Sequence, residues 1–378
     1  MDSSRDKLKI AMLGHKRIPS SEGGVEVVVE ELSTRMVEKG HFVTCYNRKG
    51  HNVAGAQFDR EQYKNYKGVK CTEVFTIDKK GLAAMSASVA ASFGAAFGKY
   101  DVVHFHAEGP AFMCWLPKLF GKRIIVTVHG LDHQRAKWGK LASAYILRGE
   151  RNAVRFADEI IVLSQSMKDY FLSTYKRETK FIPNGVNESE IVPARMITES
   201  YGLTSDSYIL FLGRIVPEKG ERYLIEAFKN VKTNKKLVIA GGSSDTSDFM
   251  DELKELAKGD DRIIFTGFVQ GRMKQELYSN AYVYTLPSDL EGMPLSLLEG
   301  MSFGNCCLTS DIPECAEVIE DKALVFRKSD VEDLKEKMQL LCDNEELVRK
   351  YKTGAKEFIL KKYGWDDVVK KTIELYKG

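Results

Sequence analysis

Four segments carry residue types at spacings that can do chemistry. In FLGRIVPEKG (211–220), Arg214 and Lys219 lie five residues apart around a strand-to-helix turn, with Gly213 before them. An Arg fork and a Lys point charge so placed suit the oxygens of a diphosphate, although solvated loop charges would look the same. In SDLEGMPLSLLE (288–299), Glu291 and Glu299 are separated by seven residues. Pro294 suits the first turn of a helix. Glu291 then falls in the loop before that helix and Glu299 about one turn inside it. Amides around Gly292, Met293 and Leu295 would face an anion. The plain alternative for the two acids is compensation of the helix dipole. In GHKRIPSSEGGVE (14–26), Gly23 and Gly24 open a helix after a strand. Paired glycines admit a ligand close to the backbone, and helix-start amides favour anions. A simple turn also explains them, and the absence of G-x-G-x-x-G speaks against a dinucleotide. In VTVHG (126–130), His129 ends a strand, where it can donate to developing charge or serve structure alone.

His104 and His106 share one strand face in DVVHFH (101–106), a metal-like spacing. No cysteine, carboxylate or third histidine sits at a recognisable ligand spacing beside them, so no metal is expected. Seven cysteines without C-x-x-C form neither a disulfide framework nor a zinc site, and Cys306 and Cys307 read as buried thiols.

The elements that must position these groups follow from apolar runs. Strands are expected at 8–13, 42–46, 69–75, 102–105, 124–128, 159–163 and 180–182 in the first half. In the second they are expected at 208–212, 237–240, 263–266, 282–286, 306–308 and 324–326. Near-continuous apolar strands separated by helices imply parallel sheets buried on both faces. The rhythm occurs twice, which predicts an α/β chain of two doubly wound, Rossmann-like domains, 1–190 and 191–363. A final helix follows the break at Tyr363-Gly364-Trp365. The length of 378 residues agrees with two domains. The Ala- and Ser-rich stretch 82–97 reads as a packed helix with a small-residue face rather than a membrane span. MDSSRDKLKI has no signal-peptide core, so a cytoplasmic location is expected.

The net charge of +3 is uneven. Residues 1–188 hold 29 Lys and Arg against 20 Asp and Glu, while 189–378 hold 27 against 33. A basic first half suits an acidic partner such as a membrane surface or a phosphate-bearing acceptor, or is merely solvated. Trp115, Phe112 and Phe120 lie among Lys118, Lys122 and Arg123, and Arg148, Arg151 and Arg155 recur at helical spacing. Such a face suits interfacial contact at the inner plasma membrane, unless the aromatics are core and the arginines a solvated stripe. The acidic second half and the lack of a recognition motif exclude nucleic acid as the expected partner.

Taken together the segments resemble retaining glycosyltransferases of family 4, with the GT-B fold. The matching pieces are Gly23-Gly24-Val25-Glu26 with Gly40-His41, 101–106, Val128-His129-Gly130, Pro183-Asn184-Gly185-Val186, Gly213-Arg214 with Lys219-Gly220, and 291–299. His15 to Pro19 before the glycine pair looks like the bacterial capsular or exopolysaccharide branch. The resemblance implies two Rossmann-like domains facing across a cleft, with helix 364–378 crossing back to the first. It implies that Arg214 and Lys219 neutralise a leaving diphosphate. Glu299 would hold the ribose, Glu291 the donor sugar, Gly213 and the amides of Gly292 to Leu295 the phosphate, and Gly24 would approach it from the other domain. His129 would lie beside the reacting sugar. His15, Gly23, Trp115, Lys118, Arg148 and Arg151 fall to the acceptor or membrane side. The implied activity is metal- and cofactor-independent transfer from a nucleotide sugar, UDP first, to a saccharide or lipid-linked saccharide in surface polysaccharide synthesis. A nucleotide-sugar epimerase of the same architecture and a non-catalytic nucleotide-sugar sensor or scaffold remain as alternatives.

Overall fold

Strands form where Val, Ile and Leu run together and can be covered on both faces. The computed structural model describes residues 7–20, 22–51, 63–77, 79, 81–134, 139–242 and 247–378. The leading residues in the signal-peptide reading, 1–6, lie outside that range.

The chain divides into two compact units, 1–185 with 365–378, and 186–364. In the first, β1 (Lys9–Leu13), β2 (Phe42–Arg48), β3 (Asn65–Tyr66), β4 (Val69–Val74), β5 (Val102–His106), β6 (Arg123–Val128), β7 (Glu159–Val162) and β8 (Lys180–Phe181) build one sheet. Its order is β3-β4-β2-β1-β5-β6-β7-β8, and only the β3–β4 pair is antiparallel among the described strands. In the second unit, β9 (Tyr208–Leu212), β10 (Lys236–Ala240), β11 (Ile263–Gly267), β12 (Val283–Leu286), β13 (Cys306–Ser310) and β14 (Leu324–Phe326) form a parallel sheet in the order β11-β10-β9-β12-β13-β14. Thirteen of these strands sit on the apolar runs of the sequence. The exception is β3, a two-residue arm turned back on β4 by Lys67 and Gly68, both left-handed at φ 47 and 83. Two consecutive left-handed residues make the tight hairpin turn that parallel-strand periodicity does not signal.

Each sheet reverses its winding at one place, between β1 and β5 in the first unit and between β9 and β12 in the second. Ligands of open α/β sheets sit at such switch points, beyond the carboxyl ends of the strands. The chemistry-bearing segments leave the sheets there: 14–24 follows β1, 213–220 follows β9 and 287–294 follows β12.

The helix Leu82–Phe97 buries its small face, Ala87, Ser88, Ala91, Ser92, Ala95 and Ala96. No helix among the described residues is long and apolar enough to cross a membrane. Cys306 and Cys307 are buried free thiols. The last helix, Trp365–Lys377, packs in the first unit. Its Tyr376 hydroxyl lies 2.6 Å from Nδ1 of His104, and its Leu375 carbonyl accepts from Arg123 Nε at 2.8 Å.

Candidate active site

The second unit builds its half-site from two loops and a helix start. The chain leaves β9 through Gly213 and Arg214, then makes a single 3-10 turn, Pro217–Lys219. Gly220 ends that turn at φ +77, and a Cβ there would fall 2.0 Å from the Pro287 carbonyl oxygen. Glycine is therefore what lets the loop carrying Lys219 touch the loop after β12. The contact places Lys219 Nζ 2.5 Å from Glu291 Oε1, with side chains only 12% and 9% exposed. Ser288 Oγ donates to the same oxygen at 2.6 Å. Asp289 clamps the loop further, accepting from Tyr223 and Ser329 hydroxyls at 3.0 and 2.7 Å. Arg214 is half-buried and has no hydrogen-bond partner among the described residues.

The helix after this loop runs Leu295–Ser302, with Pro294 as its N-cap rather than inside the first turn. Gly292, Met293 and Pro294 are buried. First-turn amides have no carbonyl four residues earlier within a helix, so the end offers donors to an anion. Glu299 lies just over one turn in and pairs with Lys274 Nζ at 2.6 Å and with the Tyr278 hydroxyl at 3.3 Å. The structure thus brings Lys219 and Glu291 together and gives Glu299 a separate cation.

In the first unit, Gly14 follows β1 at φ +104, where a Cβ would lie 2.1 Å from the His106 carbonyl oxygen. That crossing buries His15 at the switch point, with Nε2 3.0 Å from Asn47 Oδ1. Burial lowers the His15 ring to about 4, against its hydrogen bond to Asn47. Gly23 caps the helix Gly24–Glu38 in an extended conformation. Glu26, on its first turn, accepts from the Lys16 amide at 2.8 Å. Burial opposes its charge, but Lys16, that amide, His15 and Arg48 together hold the carboxyl below its ordinary range. On β5 and after β6 three histidines line up. His104 and His106 rings are 4.2 Å apart, and His106 Nδ1 is 3.0 Å from His129 Nε2. Burial, with repulsion from His129, lowers His104 to about 3, and burial with both neighbours lowers His106 well below its usual range. Both His104 nitrogens are engaged, one by Tyr376 and the other by Thr127 Oγ1 at 2.7 Å, so a metal pair on this strand face is not what the spacing serves.

Residues 22–190 match the family described as Glycosyltransferase Family 4, and 197–358 match Glycosyl transferases group 1. The chain is a GT-B glycosyltransferase of family 4. It is 27% identical to an uncharacterized glycosyltransferase of Methanocaldococcus jannaschii, over 98% of each chain. Its fold is similar to that of sucrose-phosphate synthase from Thermosynechococcus elongatus, with a TM-score of 0.81, 20% identity and 98% of each chain covered. It is also similar to Anabaena HepE, solved with UDP and glucose, at a TM-score of 0.78 and 14% identity, covering 97% of this chain and 98% of that one.

Several residues of the transferase lie elsewhere than a surface reading expects. His15 is an interior group. Trp115 and Phe112 pack against buried Ala96, Met113 and Leu116, and Phe112 meets Tyr145 at 4.7 Å. They belong to packing because the small face of helix Leu82–Phe97 leaves room for large rings. Lys118 pairs with Asp158 at 2.6 Å. Arg148 and Arg151 are exposed, as is Phe120. Phe120 meets Phe97 at 4.7 Å, and Phe97 stacks on Phe93 at 6.4 Å. With Leu119 these form an exposed apolar patch, Phe97 and Leu119 being 68% and 73% accessible.

Sequence reasoning passed over Lys274, Asp289 and Glu221. Lys274 lies one helical turn before Tyr278, a spacing that marks a shared helix face but names no partner across space. Glu221 is fully buried at the start of the helix after Gly220, where one oxygen accepts from the Val216 amide at 3.3 Å. Burial pushes its carboxyl up to about 8, against the pull of its own amide, the Val216 amide and Lys219.

Proposed function

We propose that the chain transfers a sugar, with retention of anomeric configuration, from a nucleoside diphosphate sugar to a hydroxyl of a saccharide or lipid-linked saccharide. The observation that carries this is the meeting of Lys219, Glu291 and the Leu295–Ser302 helix start at the switch point of the second unit. UDP is the favoured nucleotide, in keeping with the UDP held by Anabaena HepE. Arg214, Lys219 and the helix-start amides around Gly292 to Leu295 supply the positive field for the diphosphate, so no metal is required there. Gly213 and Gly24 let backbone approach it. Glu299, paired with Lys274, accepts from ribose hydroxyls. Glu291 accepts from hydroxyls of the donor sugar.

The bond from the anomeric carbon to the phosphate oxygen breaks, and its electron pair leaves with the diphosphate. The acceptor oxygen bonds to the same face of the oxocarbenium-like carbon. Its proton passes to the departing phosphate oxygen. His129, oriented by His106, donates to charge developing on the sugar. Removing one preorganised donor of this kind costs on the order of 10²–10³ in rate. Nucleotide release in the presence of acceptor, with the product anomer read by NMR, tests the reading. Inverted product contradicts retention, and Arg214→Ala with unchanged turnover contradicts the diphosphate assignment.

The acceptor side is proposed to meet an anionic membrane surface through Phe93, Phe97, Leu119 and Phe120, with Lys122 on the same stretch of chain. Exposed rings beside basic residues suit the interface. Flotation with anionic liposomes at low salt should carry the protein, and its failure there removes this part.

A further inference from the structure

Two buried carboxyl groups in the first unit face the same imidazole. Glu108 opens the short helix after β5, His133 lies in the single 3-10 turn Asp132–Gln134 after β6, and Glu150 lies in helix Lys140–Phe156. Glu108 and Glu150 are fully buried. His133 Nδ1 lies 3.6 Å from Glu108 Oε1 and 3.4 Å from Glu150 Oε2, and all three atoms fall within 4.8 Å of one another. None of the three atoms has a hydrogen-bond partner of ordinary geometry among the described residues. The other oxygen of each carboxyl is held firmly. Glu108 Oε2 accepts from the Asp132 amide at 2.8 Å. Glu150 Oε1 accepts from the hydroxyls of Tyr170, at 3.0 Å, and Tyr175. Among the described residues the ion pairs of both acids are with His133 alone.

We propose that Glu108, His133 and Glu150 bind one divalent transition cation of the zinc class, a site separate from the diphosphate chemistry. The donor set of two carboxylates and one imidazole nitrogen is one that zinc accepts. Ligands about 2.0–2.2 Å from a tetrahedral centre lie about 3.3–3.6 Å from each other. The two distances to Nδ1 match that edge. One oxygen of each carboxyl aims inward while protein donors hold the other, the outer-shell arrangement that orients metal ligands. A cation also answers the charge of two carboxylates buried together, which otherwise need a shared proton. His133 is 18% exposed on its side chain, so the cation would enter from that side, with a water as its fourth ligand. Glu108 comes two residues after His106 and His133 four after His129, so the cation would tie down the chain just after each histidine of that pair. Gly149 makes the approach possible, since a Cβ there would lie 2.0 Å from the Glu108 carbonyl oxygen.

The test uses the full chain stripped with a chelator and titrated with Zn²⁺ by calorimetry, with metal content and melting temperature read after desalting. One equivalent retained and a rise in melting temperature are expected. Glu108→Gln and His133→Ala should each lose that equivalent and the rise, while melting cooperatively in chelator. His133→Ala keeps the test sound if the buried variant does not fold. Tyr175→Phe should weaken zinc about 10-fold through the lost outer-shell bond. A wild-type chain that retains no zinc and melts unchanged overturns the proposal and leaves a proton shared by the two carboxyls. Equal stoichiometry in wild type and His133→Ala also overturns it, by placing the metal elsewhere.

Discussion

Replacing Lys219 by Met, Glu291 by Gln, and both together probes the contact that organises the donor half-site. The charged atoms are 2.5 Å apart with little exposure on either side. At an effective dielectric of about 20 their gross attraction is about 7 kcal/mol. Desolvation of both groups takes back most of it. Removing Lys219 alone leaves Glu291 without its cation, with Ser288 Oγ as the remaining donor among the described residues. That is expected to cost about 2–4 kcal/mol, the low side of a broken buried pair because some solvent reaches the site. Removing Glu291 alone should cost about 1–2 kcal/mol, since a lysine head can swing to water. The double variant should be no worse than Lys219→Met, giving a coupling of at least about 1–2 kcal/mol. Urea unfolding of the four proteins measures it, with the slope checked for constancy. A coupling under about 0.5 kcal/mol would mean that the two charges are independently solvated. The loop contact would then not be what presents Lys219.

Three further outcomes follow from the geometry. Gly220→Ala forces a left-handed side chain against the Pro287 carbonyl and should destabilise by about 2–5 kcal/mol in urea; stability equal to wild type would show that the loops part easily. Glu221, its carboxyl raised from 4.5 to about 8, binds a proton in the folded state that the unfolded chain releases, so its contribution is complete below about 4.5 and lost as pH rises through about 8. Glu221→Gln should therefore gain on wild type by about 1.4 kcal/mol per pH unit across that window, and parallel melting curves would refute a buried acid there. Tyr376→Phe strands Nδ1 of buried His104 and should cost about 1–3 kcal/mol, read by thermal melting; an unchanged melt would show that this bond does not pin the last helix.

Much of the frame was legible because parallel strands announce themselves as apolar runs, and every such run became a strand. The two-residue β3 was hidden, since its signal is a Lys-Gly turn without periodicity. Residues 214, 219, 291 and 299 could be marked from type and spacing. Their partners could not. Lys274 reaches Glu299 from another helix, and Glu221 looks like an ordinary first-turn acid until the Val216 amide is found above it. His15 and Trp115 show the same limit, since Asn47 beside the buried His15 and Ala96 beside the half-buried Trp115 lie far from them in sequence. Glu108, His133 and Glu150 are 25 and 17 residues apart, so only the winding of β5, β6 and the following helix brings them together.

The most direct test of the central claim is thermal stabilisation by UDP, dTDP, GDP and ADP, with Arg214→Ala and Lys219→Ala as controls. A nucleotide at 100 times its dissociation constant adds about 2.7 kcal/mol. The account predicts a selective melting shift by one diphosphate, UDP foremost, that both variants lose. No shift with any of the four, or a shift that Arg214→Ala retains in full, would contradict a nucleotide-sugar site at the switch point of the second unit.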